Sequence, residues 1–347
     1  MTKKRLCPDN HRGICLKSVH AGGTRSKYPV VGIGKDSANS PENKVILLQQ
    51  DTVKQSSSFK IASKLQDYKL LIKFNLSFMV VFSAVISYLL APRVTTYDWK
   101  AIMLLFTGGM LVTGSANAIN QVVERDTDAM MKRTAGRPIA AGRMSVGEGV
   151  AFALIAGIGG TLILYHFNLL TALLSVLSLF VYAFIYTPLK KVSAVSVLVG
   201  AVPGSLPCLI GWAAGNDDLS AGGWILFALQ FFWQFPHFWA IAWIAHRDYS
   251  KAGFKLLPSN EGPTRYSAIQ AIIYSLLLLP VGVLPYFFDV SGRVSLVVVL
   301  LANLFMVWQC VRLYRKMTVE AARRVMFSSY IYLPVVLLTL LIDKVKV

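Results

Sequence analysis

The amino-acid sequence predicts an all-α integral membrane protein with nine transmembrane helices. Three observations lead to this prediction. The 347 residues are 55% hydrophobic and 15% charged, whereas a soluble domain has about 25% charged residues. Nine segments have the roughly 20 apolar residues needed to cross a bilayer, and basic residues alternate regularly between the loops that join these segments.

The nine predicted spans are helices rather than strands. None has the two-residue alternation of a transmembrane β-strand, and in lipid each segment must satisfy its own backbone amides. Residues 59–73, before the first span, have the pattern of an amphipathic helix at the membrane interface. The predicted spans are 70–91, 101–119, 147–165, 168–187, 194–214, 222–245, 267–287, 294–313 and 325–342.

The net charge of +18 is distributed as in a membrane protein. Residues 1–73 contain 14 Lys and Arg, the loops after the even-numbered spans contain 16, and the loops after spans 1, 3, 5 and 7 contain 3. Cytoplasmic loops are enriched in Lys and Arg, so the N-terminus is predicted to be cytoplasmic and residues 343–347 to lie outside. We expect a multi-pass protein of the plasma (inner) membrane, surrounded by the lipid bilayer and without a nucleic-acid partner.

Residues 1–58 differ in composition from the rest of the chain. They are polar and basic, and they lack the apolar run of a signal peptide. We therefore expect a disordered cytoplasmic extension before a membrane domain at 59–347. The four cysteines do not make a disulfide framework: Cys208 and Cys310 lie in predicted spans as core residues, and the other two lack the close spacing of a zinc pair.

The most informative stretch lies at the end of the second predicted span. Asn120, Glu124 and Asp128 recur every four residues, so on a helix they form one stripe, whereas Asp126 falls on another side. Three oxygen-bearing side chains at a membrane boundary are costly unless a cation neutralises them. Such ligands suit Mg²⁺ bound to substrate phosphates. The alternative is a solvated helix with i,i+4 ion pairs.

Basic residues follow this stripe immediately. Carboxylates that hold a metal, together with cations that hold free phosphate oxygens, make a diphosphate site. Lys190 and Lys191, after the fourth span, are either further diphosphate contacts or cytoplasmic anchors. The predicted phosphate contacts after the stripe are Lys132, Arg133, Arg137 and Arg143.

A second polar stripe lies on the sixth predicted span and its exit. Its four members fall within about 60° of one another at 100° per residue, which favours a polar-lined cavity. A partnered structural role is the alternative for the intramembrane histidine. The four residues are Gln230, Gln234, His237 and Asp248.

These motifs resemble the UbiA superfamily of membrane prenyltransferases. The run Asn120-x3-Glu124-x3-Asp128 is similar to its Asn-x3-Asp-x3-Asp signature, with Glu in place of the first Asp. The sequence around Asp248 is similar to its second acidic motif. Finer features resemble the protohaem IX farnesyltransferase branch, and the resemblance covers residues 67–342. The finer features are ERDTDAMMKRTAGRPIAAGR, YTPLKK, GAVPGSLPCLIGW and WQFPHFWAIAW-x4-RDY-x2-AGFKLLP.

The resemblance implies nine transmembrane helices around a central cavity, where two acidic motifs hold Mg²⁺ and farnesyl diphosphate. It implies that the farnesyl group is joined, with water, to a vinyl group of haem B, giving haem O for terminal-oxidase biogenesis. Haem A synthase and oxidase assembly proteins are the implied protein partners. The implied metal–diphosphate ligands are Asn120, Glu124, Asp128 and Asp248. The implied substrate-binding residues are Lys132, Arg133, Arg137, Lys190 and, near the haem, His237.

Two departures and two alternatives accompany this resemblance. The branch often has Lys-Pro-Arg near the first span, where this chain has Lys73-Phe74-Asn75, and the extension 1–58 has no counterpart in the family core. One alternative is a UbiA-type prenyltransferase that acts on an aromatic or quinone precursor. The other is a membrane transporter with polar residues of the second stripe along an ion path.

Overall fold

The computed structural model describes residues 63–259 and 261–345, and the predicted extension 1–58 lies outside these described residues. Within these ranges the chain is helical and has no β-strand, apart from an isolated bridge between Ser291 and Lys344. The helices are α1 Ser63–Leu71, α2 Phe74–Leu90, α3 Trp99–Val123, α4 Arg125–Met130, α5 Val146–Tyr165, α6 Leu169–Phe180, a π-helical turn Val181–Tyr186, α7 Thr187–Leu189, α8 Ser196–Asn216, α9 Ala221–Ile244, α10 His246–Lys251, α11 Arg265–Phe287, α12 Arg293–Lys316 and α13 Val319–Ile342.

The predicted all-α membrane fold is confirmed. In the described part, eight helices are long and apolar enough to cross a bilayer, and the bent pair α1 and α2 makes a ninth if it is one span. The fourth of the nine runs through α6, the π-helical turn and α7 as Leu169–Leu189. Each of the nine predicted segments overlaps one of these helices.

The predicted interfacial segment 59–73 overlaps α1, and the predicted span 70–91 overlaps α2, with a bend between the two helices. The chain bends by 51° between α1 and α2, and Lys73 at the break has left-handed backbone angles (φ 49°, ψ 56°), which non-glycine residues rarely adopt. Amide side chains of α3 satisfy the carbonyls freed there. Asn117 donates to the Ile72 carbonyl at 3.1 Å, and Gln121 donates to the two preceding carbonyls at 3.0 and 2.9 Å. Packing against α3 therefore supports the break without glycine or proline.

Helix α8 packs directly against α2. A Cβ atom at Gly211 would overlap the backbone carbonyl of Ala84, so the two backbones touch there, as small residues at membrane helix interfaces allow. One turn away, Ser87 Oγ donates to the Cys208 carbonyl at 2.5 Å. Cys208 and Cys310 are both buried free thiols, in agreement with their predicted place in the core.

The end of α13 returns to the first span. The Lys344 ammonium donates to three carbonyl oxygens at the end of α2, each at 2.8 Å. Helix ends leave their last carbonyls without intrahelical partners. The lysine bonds one such carbonyl within α2 and two just after it, and so ties the end of α2 to the residues that follow α13. The three carbonyls belong to Leu89, Ala91 and Val94.

Candidate active site

The predicted stripe passes from α3 to α4 across Glu124, whose backbone angles (φ −93°, ψ 10°) separate the two helices. The Glu124 amide donates to the Asn120 carbonyl at 2.9 Å, and the Asp128 amide donates to the Glu124 carbonyl at 2.7 Å. These two bonds keep the four-residue spacing of the three side chains across the junction. The three residues are only 1%, 4% and 0% exposed, so the alternative of a solvated surface helix is wrong. Asp126 lies off the stripe, as predicted, with a side chain that is 86% exposed and paired with Arg125.

Each side chain of the stripe contacts a different cation. The three cations come from separate parts of the chain: the break after α1, the end of α7 and the loop after α4. A buried carboxylate requires such compensation, because an unpaired charge in an apolar interior is costly. The three pairs are Lys73 Nζ with Asn120 Oδ1 at 2.9 Å, Lys190 with Glu124, and Arg137 Nη1 with Asp128 Oδ1 and Oδ2 at 2.8 and 2.6 Å.

Lys190 and Lys191 lie in different environments. Lys190 is 7% exposed, and its ammonium lies 4.8 Å from the centroid of the Tyr186 ring and 5.4 Å from that of the Phe254 ring. Aromatic faces attract a cation electrostatically, so these rings hold the ammonium beside Glu124. Lys191, in contrast, is exposed.

Arg143 differs from the other basic residues after the stripe. Its Nε donates to Asp67 Oδ1 at 2.9 Å, and its Nη2 donates to the carbonyl of Gly136 at 2.9 Å. These contacts tie α1 to the loop that carries Arg137, and the phosphate contact of Arg143 stays a prediction. The neighbouring Thr134 fixes the same loop, since its Oγ1 donates to the carbonyl at the end of the stripe at 2.9 Å.

The second acidic motif lies beside the first. Arg133 Nη2 donates to the Tyr249 hydroxyl of α10 at 2.7 Å, and Met131 packs with Phe254 just beyond α10. Asp248 is half-buried on α10 and makes no side-chain hydrogen bond or ion pair with another of the residues that the structure describes. The two loops predicted to form one site are therefore brought together. Lys132 is exposed in the first of them.

The second predicted stripe does not form one polar surface. Gln230 Nε2 donates to the Gly204 carbonyl at 2.7 Å, and Gln234 Nε2 donates to Ser205 Oγ at 2.7 Å. Both amides thus join α9 to α8, which corrects the prediction that they line a cavity. The physical reason is that polar groups within a membrane helix find partners on neighbouring helices.

His237 faces a different neighbour, helix α13. Its Nδ1 lies 2.7 Å from Ser329 Oγ, and its ring stacks on Trp233 with a centroid distance of 5.0 Å. The Tyr330 ring meets it edge-on at 5.2 Å. The imidazole is therefore oriented by α13 and by aromatic rings, while Nε2 has no hydrogen-bond partner among the described residues.

Sequence reasoning missed two groups at the stripe. Lys73 reaches Asn120 because the chain bends after α1, and neither glycine nor proline marks that bend. Thr187 Oγ1 accepts a hydrogen bond from Asn120 Nδ2 at 3.3 Å and donates to the Tyr182 carbonyl at 2.8 Å. This threonine ends the π-helical turn, a feature that occurs often at functional sites.

The oxygen donors of the stripe fit a divalent cation that also binds substrate phosphates. Glu124 and Asp128 supply carboxylates, and Asn120 supplies an amide oxygen. In the described part of the chain no three His, Cys, Asp or Glu side chains are grouped as a complete protein site. Mg²⁺ usually takes one or two carboxylates and completes its shell with water and phosphate, so this donor set suits a metal–diphosphate complex.

Comparison with known proteins identifies the family. The UbiA prenyltransferase family matches residues 80–331. The protoheme IX farnesyltransferase of Cytophaga hutchinsonii is 44% identical over 286 residues, which cover 82% of this chain and 100% of that protein.

Solved structures share the fold. A structure of digeranylgeranylglyceryl phosphate synthase superposes with a TM-score of 0.69 at 20% identity and covers 82% of this chain and 100% of its own. A UbiA homologue from Archaeoglobus fulgidus bound to GPP and Mg²⁺ superposes with a TM-score of 0.60 at 15% identity, covering 79% of this chain and 99% of its own. The chain is a multi-pass membrane protein that belongs to the UbiA prenyltransferase family.

Proposed function

We propose that this protein is a protohaem IX farnesyltransferase, which transfers the farnesyl group of farnesyl diphosphate to a vinyl group of haem B and so makes haem O. The observation that carries the proposal is the 44% identity to a protoheme IX farnesyltransferase along that protein's whole length. The buried acidic stripe and its cations supply the chemistry that the reaction requires.

The reaction breaks the C1–O bond of farnesyl diphosphate, the π bond of the vinyl group and one O–H bond of water, and it forms one C–C bond and one C–O bond. The C1–O bond of farnesyl diphosphate breaks, and diphosphate leaves with the electron pair. The vinyl group attacks C1 to form a carbon–carbon bond, and the cation left on the haem side chain takes a hydroxyl group from water, which releases a proton. The protein's main task is to stabilise charge on the leaving group, because preorganised charges are most effective in a site that excludes bulk water.

Four side chains would hold Mg²⁺, which supplies positive charge to the leaving diphosphate. They are Asn120, Glu124, Asp128 and Asp248. The fit rests on the buried oxygen stripe and on Asp248, whose half-buried carboxylate is without a partner in the described part of the chain. The Archaeoglobus fulgidus homologue bound to GPP and Mg²⁺ supports magnesium as the metal.

Four basic residues would bind the free diphosphate oxygens. Arg137 and Lys190 already lie against the stripe, and Arg133 lies at the contact between the two acidic loops. Arginine binds phosphate through paired N–H groups, and lysine binds it as a point charge. Lys132, exposed on the same loop, would complete the set.

His237 would lie near the haem. Ser329 contacts its Nδ1, which leaves Nε2 for the haem or for a proton, and the flanking rings of Trp233 and Tyr330 provide flat apolar surfaces.

The excess of basic residues in alternate loops supports a plasma (inner) membrane protein with its N-terminus and diphosphate loops in the cytoplasm. Haem A synthase and oxidase assembly proteins are the partners that a haem O donor would serve.

Expression in a bacterium that lacks its own haem O synthase tests this function. Extracted haems should contain haem O when the full chain is produced and should lack it with the empty vector, as read by mass spectrometry. Absence of haem O from membranes that contain the folded protein would contradict the haem assignment. A prenylated aromatic or quinone precursor in those membranes would instead support the UbiA-type alternative.

A further inference from the structure

The acidic stripe is already neutralised by the chain itself. Lys73, Lys190 and Arg137 each contact one member of the stripe, which contains two carboxylates and one amide. Two cations therefore pair with the two carboxylates, and Lys73 contacts the neutral amide. These contacts lie where the proposed metal ligands and diphosphate contacts meet.

This balance of charges makes it unfavourable for the metal or the diphosphate to bind alone. A divalent cation that approaches Glu124 or Asp128 must displace a bound ammonium or guanidinium and remain close to it, and like charges in a partly buried site repel strongly. A diphosphate alone must draw the same cations away from two buried carboxylates, which would then be unpaired. When both ligands bind, the metal neutralises the carboxylates while the displaced cations neutralise the diphosphate.

We infer that three basic residues form an exchange set, namely Lys73, Lys190 and Arg137. Their side chains leave the stripe for the diphosphate when the metal binds, so that metal and diphosphate bind cooperatively. This inference rests on the proposed function and deepens it by assigning Lys73 to the diphosphate site. Because coupling between two ligands is reciprocal, the metal must tighten diphosphate binding by the factor by which diphosphate tightens metal binding.

The local structure allows the exchange without movement of the backbone. The Lys190 carbonyl accepts a hydrogen bond from the Lys255 amide at 2.8 Å, and the Arg137 amide donates to the Thr134 carbonyl at 2.9 Å. Lys73 is held by the break between α1 and α2. Each backbone is thus fixed, while a long side chain ends in a cation that can turn from one oxygen to another.

Lys190→Met and Lys73→Met test the exchange in the full-length protein in lipid nanodiscs. Two affinities are measured: that of Mn²⁺ alone, by electron paramagnetic resonance, and that of farnesyl thiodiphosphate in the presence of Mg²⁺. The wild type should bind Mn²⁺ at least about tenfold more tightly when the thiodiphosphate is present, after correction for the metal that this analogue binds in solution.

The variants should shift the two affinities in opposite directions. Removal of a cation should tighten Mn²⁺ binding by about tenfold in Lys190→Met. The gain should be smaller in Lys73→Met, because the partner of Lys73 is a neutral amide. Both variants should bind the thiodiphosphate about tenfold more weakly. Lys73→Met leaves no buried carboxylate unpaired, so it serves if Lys190→Met fails to fold. Lys191→Met, which removes an exposed lysine beside the site, should change neither affinity.

Two outcomes would overturn the exchange: variants that weaken both affinities or leave both unchanged, and a wild type that binds Mn²⁺ equally well with and without the analogue. A separate product assay distinguishes this from failure of the proposed function. Opposite shifts in a protein that makes no haem O would uphold the exchange and contradict the haem substrate. Haem O formation with parallel shifts would contradict the exchange alone.

Discussion

Glu124→Gln and Asp128→Asn should each reduce kcat for farnesyl transfer by at least about a thousandfold, because each removes a carboxylate charge from the proposed metal site. The amide keeps the shape of the side chain and its ability to accept a hydrogen bond, but it removes the ion-pair partner of Lys190 or Arg137. The unfolding midpoint should therefore fall while the variant still folds. The measurement is kcat for farnesyl transfer in the purified protein, together with the thermal unfolding midpoint of each variant.

Asp126→Asn is the matched control for these two variants. Asp126 lies between them in sequence, but its side chain is 86% exposed and pairs only with Arg125 among the described residues. We expect near-normal kcat from this control. Retention of normal activity by both Glu124→Gln and Asp128→Asn would refute the assignment of the stripe as the metal site.

Gly211→Ala should have the largest effect on stability. The added Cβ would overlap the Ala84 carbonyl, and a backbone atom cannot turn away as a side chain can. Helices α2 and α8 must then separate, and the bond from Ser87 Oγ to the Cys208 carbonyl is weakened. Because overpacked cores lose about 1–3 kcal/mol, and here the neighbour is backbone, we expect a loss of at least about 3 kcal/mol and a lower unfolding midpoint.

Gly159→Ala is the control for this substitution. A Cβ atom at Gly159 in α5 would have no neighbouring atom within 4 Å, and alanine is the better helix former. Its unfolding midpoint should equal or slightly exceed that of the wild type. Equal midpoints for Gly211→Ala and Gly159→Ala would contradict the close contact between α2 and α8.

The features of this fold that depend on local sequence periodicity could be predicted. Apolar length and alternating loop charge are local properties, so the spans could be predicted, with each predicted segment overlapping an observed helix. The stripe of Asn120, Glu124 and Asp128 could be predicted for the same reason, because four-residue spacing determines the face of a helix.

The remaining features depend on contacts between distant segments. The break at Lys73 requires the amides of Asn117 and Gln121 on another helix, and no glycine or proline marks it. The pairing of Lys190 with Glu124 and of Arg143 with Asp67 likewise depends on packing. These tertiary contacts decide which basic residues reach the site, so a count of basic residues near the motif could not distinguish them.

The most direct test of the proposed function is product formation by the purified full-length protein with haem B, farnesyl diphosphate and Mg²⁺. We predict a product with the mass of haem B plus one farnesyl group and one hydroxyl group, together with release of diphosphate. This product should be absent when farnesyl diphosphate is omitted. Absence of this product while the folded protein prenylates an aromatic acceptor from the same diphosphate would contradict the account.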